Sequence, residues 1–131
     1  MGSMRSEHPL NIARLLVERG YEAYVDWHAT GPESDDNWKA HALALGQDFN
    51  EALRQPHARQ VYALDKAWLD WSDIGVIVMP CGKSAWAEMG FLRGQHKLVY
   101  ALTEPNPERW DIMLQFANDW TSDIDELMQW F

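Results

Sequence analysis

The chain has 131 residues, of which 47% are hydrophobic, with eight Trp and a formal net charge of -9. That length suits one domain over residues 1–131 with a real core. The acidic balance argues against binding duplex nucleic acid through its phosphates but leaves room for a single nucleotide in a locally positive pocket. No apolar run reaches the roughly 20 residues that span a bilayer, so no membrane partner is expected. The charged first twenty residues carry no secretory signal. The single cysteine, Cys81, leaves no internal disulfide and suits a reducing compartment, which points to a cytoplasmic protein.

Pro9 suits the first turn of a helix whose apolar face is Leu10, Ala13, Leu16 and Val17, with Gly20 as its stop. Residues 21–26 (YEAYVD) read as a short strand, and 30–37 (TGPESDDN) as a loop by their turn residues. Residues 38–54 read as a helix loosened near Gly46, and Pro56 separates it from a second helix over about 57–71. The continuous apolar run 74–79 suits a strand covered on both faces. A helix over 84–95 and a strand over 97–102 follow. Pro105 and Pro107 mark a loop, 108–114 a short helix, 115–117 a candidate strand and 123–130 a terminal helix. Strands alternating with helices predict an α/β protein, a flavodoxin- or Rossmann-like three-layer fold with a parallel sheet. Its first strand is expected to be truncated or missing, because helix material opens the chain with no apolar strand before it.

The chemistry concentrates where the apolar run ends in Pro80-Cys81-Gly82-Lys83-Ser84. Gly82, Lys83 and Ser84 offer backbone amides, a hydroxyl and a positive charge at a helix start, which is an anion-binding arrangement. With Ser84 as N-cap, a capping box would need its acid at position 87. Glu88 falls one residue later, among apolar neighbours, and so calls for another explanation. Asp65 stands mid-helix, where Asp is a poor helix former, and is a second candidate. Asp73 reads as a turn residue before the strand. Cys81 reads as a small loop residue, because no His is placed to activate it. The five His show no metal-ligand spacing, and neither a metal nor a cofactor is expected. Trp27, beside Asp26 at a strand end, is the Trp expected near a pocket.

Asp65, Asp73, the apolar strand, the loop from Pro80 to Ser84 and Glu88-Met89-Gly90 together resemble the nucleoside 2-deoxyribosyltransferase-like superfamily, which includes deoxynucleoside 5′-monophosphate N-glycosidases. With Tyr24-Val25-Asp26-Trp27, Gly31-Pro32-Glu33, Asp35-Asp36 and Asp65-Lys66, the pattern looks like a small phage-associated branch and spans nearly the whole chain. The resemblance implies that Glu88 is a catalytic nucleophile at C1′ of the sugar and that Asp65 holds or protonates the leaving base. It implies a substrate-binding set of Gly2, Ser3, Arg5, Asp26, Trp27, Gly82, Lys83 and Ser84, with the first strand ending at Gly2-Ser3. Lys83 and Ser84 stand where nucleoside transferases of the superfamily carry a further acid. They suit a 5′-phosphate, which favours a nucleotide hydrolase. The expected partner is a small nucleoside or nucleotide, and the resemblance also implies a homo-oligomer. The alternative is a non-catalytic nucleotide-binding or regulatory interaction module. A third reading, an interaction protein, would show Trp68, Trp71 and Trp110 clustered at the surface with no pocket at Glu88.

Overall fold

A computed structural model describes residues 1–25 and 30–131. Among these, β1 (Ile74–Val78), β2 (Leu98–Leu102) and β3 (Asp119–Thr121) form one parallel sheet in the order β1-β2-β3. Ile74 pairs with Leu98 and Val78 with Leu102; Tyr100 pairs with Asp119 and Leu102 with Thr121. Successive side chains along a strand point to opposite faces, and the two cores follow that alternation. Ile77, Val99 and Ala101 face Ala85, Met89 and Leu92 of α5 (Lys83–Gly94). Val78 and Leu102 face Ile12 and Leu16 of α1 (His8–Glu18) and Leu127 and Met128 of α6 (Ile124–Gln129). The result is the expected three-layer α/β fold, flavodoxin-like in its parallel connections.

The backbone of Met1 pairs with β1. The Met1 amino nitrogen donates to the Val76 carbonyl at 2.8 Å, and the Met1 carbonyl accepts from the Val78 amide at 3.0 Å. That is one bridge of a parallel ladder on the edge of β1 opposite β2. Gly75 lies beside it in a tight space: a Cβ there would stand 2.5 Å from Leu92 Cδ1 and 2.9 Å from Met1 Cε, so these side-chain ends would have to shift.

Several expected elements differ. Residues 21–25 form no strand; they run irregularly, with Tyr24 stacked on Trp68 at 4.4 Å between ring centroids. A strand-like sequence needs a ladder partner to become a strand. The expected loop over 30–37 already turns helical at Ser34, because Asp35 and Asp36 suit the first turn of α2 (Ser34–Ala44). The expected long helix is two: α2 ends before Gly46, whose φ of +72° is left-handed, and α3 (Phe49–Leu53) starts on an Asp48–Glu51 capping box. The third strand is Asp119–Thr121 rather than 115–117, and the segment expected as an α-helix is a 3-10 helix over Ile112–Phe116. There Asp111 caps the Met113 amide and shifts the helix start past Trp110.

α4 (Pro56–Trp71) and α5 hold the candidate site. The last carbonyls of α4 are tied down by Lys97, whose Nζ donates to the Leu69 and Asp70 carbonyls at 2.7 and 2.6 Å. A cation at a helix C-terminus is favourable both as donor and as charge. Gln95 Nε2 donates to Asp70 at 2.7 Å, and Lys66 of α4 lies 5.2 Å over the Phe91 ring of α5. These contacts fix the two helices side by side. Among the described residues no helix is long and apolar enough to cross a membrane.

Candidate functional site

α5 begins at Lys83, one residue before the expected start, and its N-cap is Gly82, two residues before the expected Ser84, which lies inside the first turn. Glu88 is therefore the sixth helical residue and has no capping role, so the sequence argument that set it apart survives the shift in boundary. On a 3.6-residue helix Glu88 falls between the buried Ala85–Leu92 stripe and the Ser84–Phe91 flank that meets α4. Glu88 itself is half-buried, as is Asp65 on the facing side of α4.

The two carboxylates interact. Burial raises the pKa of Glu88 above its ordinary value, and the charge of Asp65 raises it further. The amino group of Met1 acts in the opposite direction and favours the ionised Glu88. Burial likewise raises the pKa of Asp65. Cys81 completes the group: burial pushes its thiol up to about 11 against the pull of the Met1 amino group, and its Sγ donates to Met79 Sδ at 3.3 Å. The amino group is itself lowered by burial and feels both Glu88 and Cys81. Asp65, Glu88, Cys81 and Met1 thus form one electrostatic cluster beside the end of β1.

Six of the other expected site residues lie at the start of α5 or in residues 2–5. Gly82, Lys83 and Ser84 are exposed at the start of α5, where the first amides of the helix lack intrahelical partners. Gly2 is half-buried against Pro9 and the Val78 carbonyl, and the Ser3 hydroxyl accepts from the Arg5 amide. Arg5 pairs with Asp36 of α2 at 3.3 Å on the surface. The expectations for Asp26 and Trp27 fall outside the described residues. Asp73 is exposed in the bend before β1, in keeping with a turn role.

Sequence reasoning missed the part played by Met1, whose place in the cluster follows from its bridge to β1. The Gly2-Ser3 motif beside it was the available signal. Two cavities lie apart from the carboxylates. One of about 420 Å³ is bounded by Trp38, Leu43, Phe49 and Ala52 of α2 and α3. The other, about 310 Å³, is bounded by Trp86, Met89, Gly90, Asp111, Met113 and Phe116, on the flank of α5 away from Glu88. Neither cavity is bordered by Asp65 or Glu88.

Comparison with family models, curated proteins and solved structures finds no match.

Proposed function

We propose that the protein cleaves the N-glycosidic bond of a nucleoside or, preferably, a deoxynucleoside 5′-monophosphate. The observation that carries this reading is the Asp65–Glu88 pair: two half-buried carboxylates on facing helices, each raised in pKa and linked by charge. Two carboxylates that cannot both ionise freely divide into an acid and an anion. With Asp65 protonated, its repulsion of Glu88 disappears, and the Met1 amino group favours the anion at Glu88.

In the proposed reaction a Glu88 carboxylate oxygen attacks C1′ of the sugar. The C1′–N bond breaks, and its electron pair stays with the base nitrogen as Asp65 donates a proton to the base. The glycosyl ester on Glu88 is then opened by water at C1′. Asp65, now a carboxylate, takes the proton from that water, and Glu88 leaves as the free carboxylate. An adjacent anion stabilises the oxocarbenium-like transition state, and protonating the base lowers the barrier to its departure. The exposed Gly82–Lys83–Ser84 turn offers amides, a hydroxyl and an ammonium for the 5′-phosphate.

The test is release of free base from a panel of nucleosides and 5′-monophosphates. The proposal expects release that is lost in Glu88→Gln. Ligand-induced thermal stabilisation with no release from any substrate would instead support a non-catalytic nucleotide-binding module.

A further inference from the structure

The wedge between α2 and α3 leaves large apolar side chains around open space. Asp35, Trp38, Lys39 and Ala42 stand at i, i+3, i+4 and i+7, on one face of α2. The left-handed turn at Gly46 brings α3 back, and Phe49 and Ala52 border the same space. Ala42 and Ala52 form its buried floor, but their side chains are too small to fill the angle between the helices. What remains is the cavity of about 420 Å³, within the size range of small-molecule sites. Its apolar walls are open to water: Leu43 and Phe49 are 61% and 67% exposed. The Trp38 and Phe49 rings meet at 63° with their centroids 6.3 Å apart, as two walls of a corner. The face of an aromatic ring attracts a cation, and an organic cation also offers apolar surface to cover the walls.

The charges that line the cavity select the same sign. Asp35, Asp36 and Asp48 border it, against the single ammonium of Lys39. Arg5 pairs with Asp36 at 3.3 Å, and one oxygen of Asp48 accepts from the Glu51 amide. Asp35 and Lys39 form no ion pair among the described residues. With Asp36 set aside as already paired, the lining still holds more acid than base, in a chain whose net charge is -9. We propose that this wedge binds a small organic cation, an alkyl- or arylammonium. Its apolar body lies on Trp38, Leu43 and Phe49, and its charge faces Asp35 and Asp48. The same carboxylates repel an anion of equal shape, which gives the cavity its selectivity. Neither Asp65 nor Glu88 borders this cavity, so the inference does not rest on the proposed reaction.

Phenethylammonium, phenethyl alcohol and phenylpropionate share one ring and differ in charge. Heteronuclear NMR titration of the full chain with each compound tests the proposal, read at the Trp38 indole and at the amides of α2 and α3. The ammonium is expected to give saturable shifts there, with a dissociation constant of roughly 1–10 mM for so small a compound. It should bind about fivefold more tightly than the alcohol or the carboxylate. Asp35→Asn is expected to weaken the ammonium about threefold and Lys39→Gln to tighten it about as much, opposite signs that damage to the fold cannot produce. No saturable shift with the ammonium, equal binding of the three compounds, or an affinity unmoved by both substitutions would overturn the proposal.

Discussion

Burial raises the pKa of Glu88 on α5, and the charge of Asp65 on α4, 23 positions away in sequence, raises it further. Burial raises the pKa of Asp65 as well. A carboxyl raised in the fold is bound more tightly by its proton there than in the unfolded chain. Its contribution to stability is therefore greatest at low pH and is lost as pH rises from the ordinary value, 4.5 for Glu88 and 3.8 for Asp65, through the folded value. Glu88→Gln is expected to flatten that loss and to leave the protein more stable than wild type at neutral pH. Denaturant midpoints measured from pH 4 to pH 8 check the sign; a variant less stable than wild type at every pH would contradict it.

Asp65 has a separate signature in catalysis. As general acid it should contribute about 10²–10⁴-fold to base release, lost in Asp65→Asn. A nucleotide carrying a leaving group that departs without protonation should recover most of that loss in the Asn variant. Steady-state rates with natural and activated substrates distinguish this role from simple damage to the fold, which would slow both alike.

The Cys81 thiol, pushed up to about 11 from its ordinary 9.0, carries about a hundredfold less thiolate at pH 8 than an unperturbed cysteine. Alkylation of the folded protein by iodoacetamide is expected to be slower by about that factor than alkylation of the urea-unfolded chain. Equal rates in the two states would show that the thiol is not held in this environment.

Lys97 closes the end of α4 through two carbonyls. Lys97→Met keeps the aliphatic stem and removes the donors, and should cost about 1.5–3 kcal/mol, the range for hydrogen bonds to a charged group. Thermal unfolding gives the size. The same variant should raise KM more than it lowers kcat, because it loosens α4 without removing a reacting group.

Gly75 is squeezed between Leu92 and Met1, so Gly75→Ala should destabilise by about 1–3 kcal/mol through overpacking. Gly90→Ala on α5 is the contrasting case, since nothing stands within 4 Å of its added Cβ. That change should leave stability equal or raise it by up to about 1 kcal/mol through helix propensity. Urea midpoints for the two variants check the pair.

β1, α5 and β2 are legible in the sequence because each is set by local signals: the apolar run before Pro80, Gly82 before the helix, and the β-branched or aromatic residues of the next strand. The C-terminal helix is legible for the same reason. Its Asp123 caps the Asp125 amide at 2.8 Å, and its Leu127 and Met128 enter the core. Residues 21–25 are misread because strand formation depends on a neighbouring strand, a tertiary fact that a pattern of alternating residues does not contain. The third strand is misplaced because Asn118 ends the irregular segment by side-chain bonding: its Oδ1 accepts from the Val99 amide at 2.8 Å. Within the site, Glu88 stands out by the failure of a capping explanation, and Asp65 by its poor fit mid-helix. Their proximity is carried by the packing of α4 on α5, and the place of Met1 by a single backbone bridge, which leave no trace in residue spacing.

The most direct test of the account is free-base release from deoxynucleoside 5′-monophosphates by wild type and Glu88→Gln, followed by chromatography, with trapped glycosyl-enzyme sought by intact-mass measurement. The account predicts release by wild type, loss of release in Glu88→Gln, and a sugar adduct on Glu88 when a slow substrate is used. Base release that continues undiminished in Glu88→Gln, or its absence from wild type with every nucleotide and nucleoside tried, would contradict it.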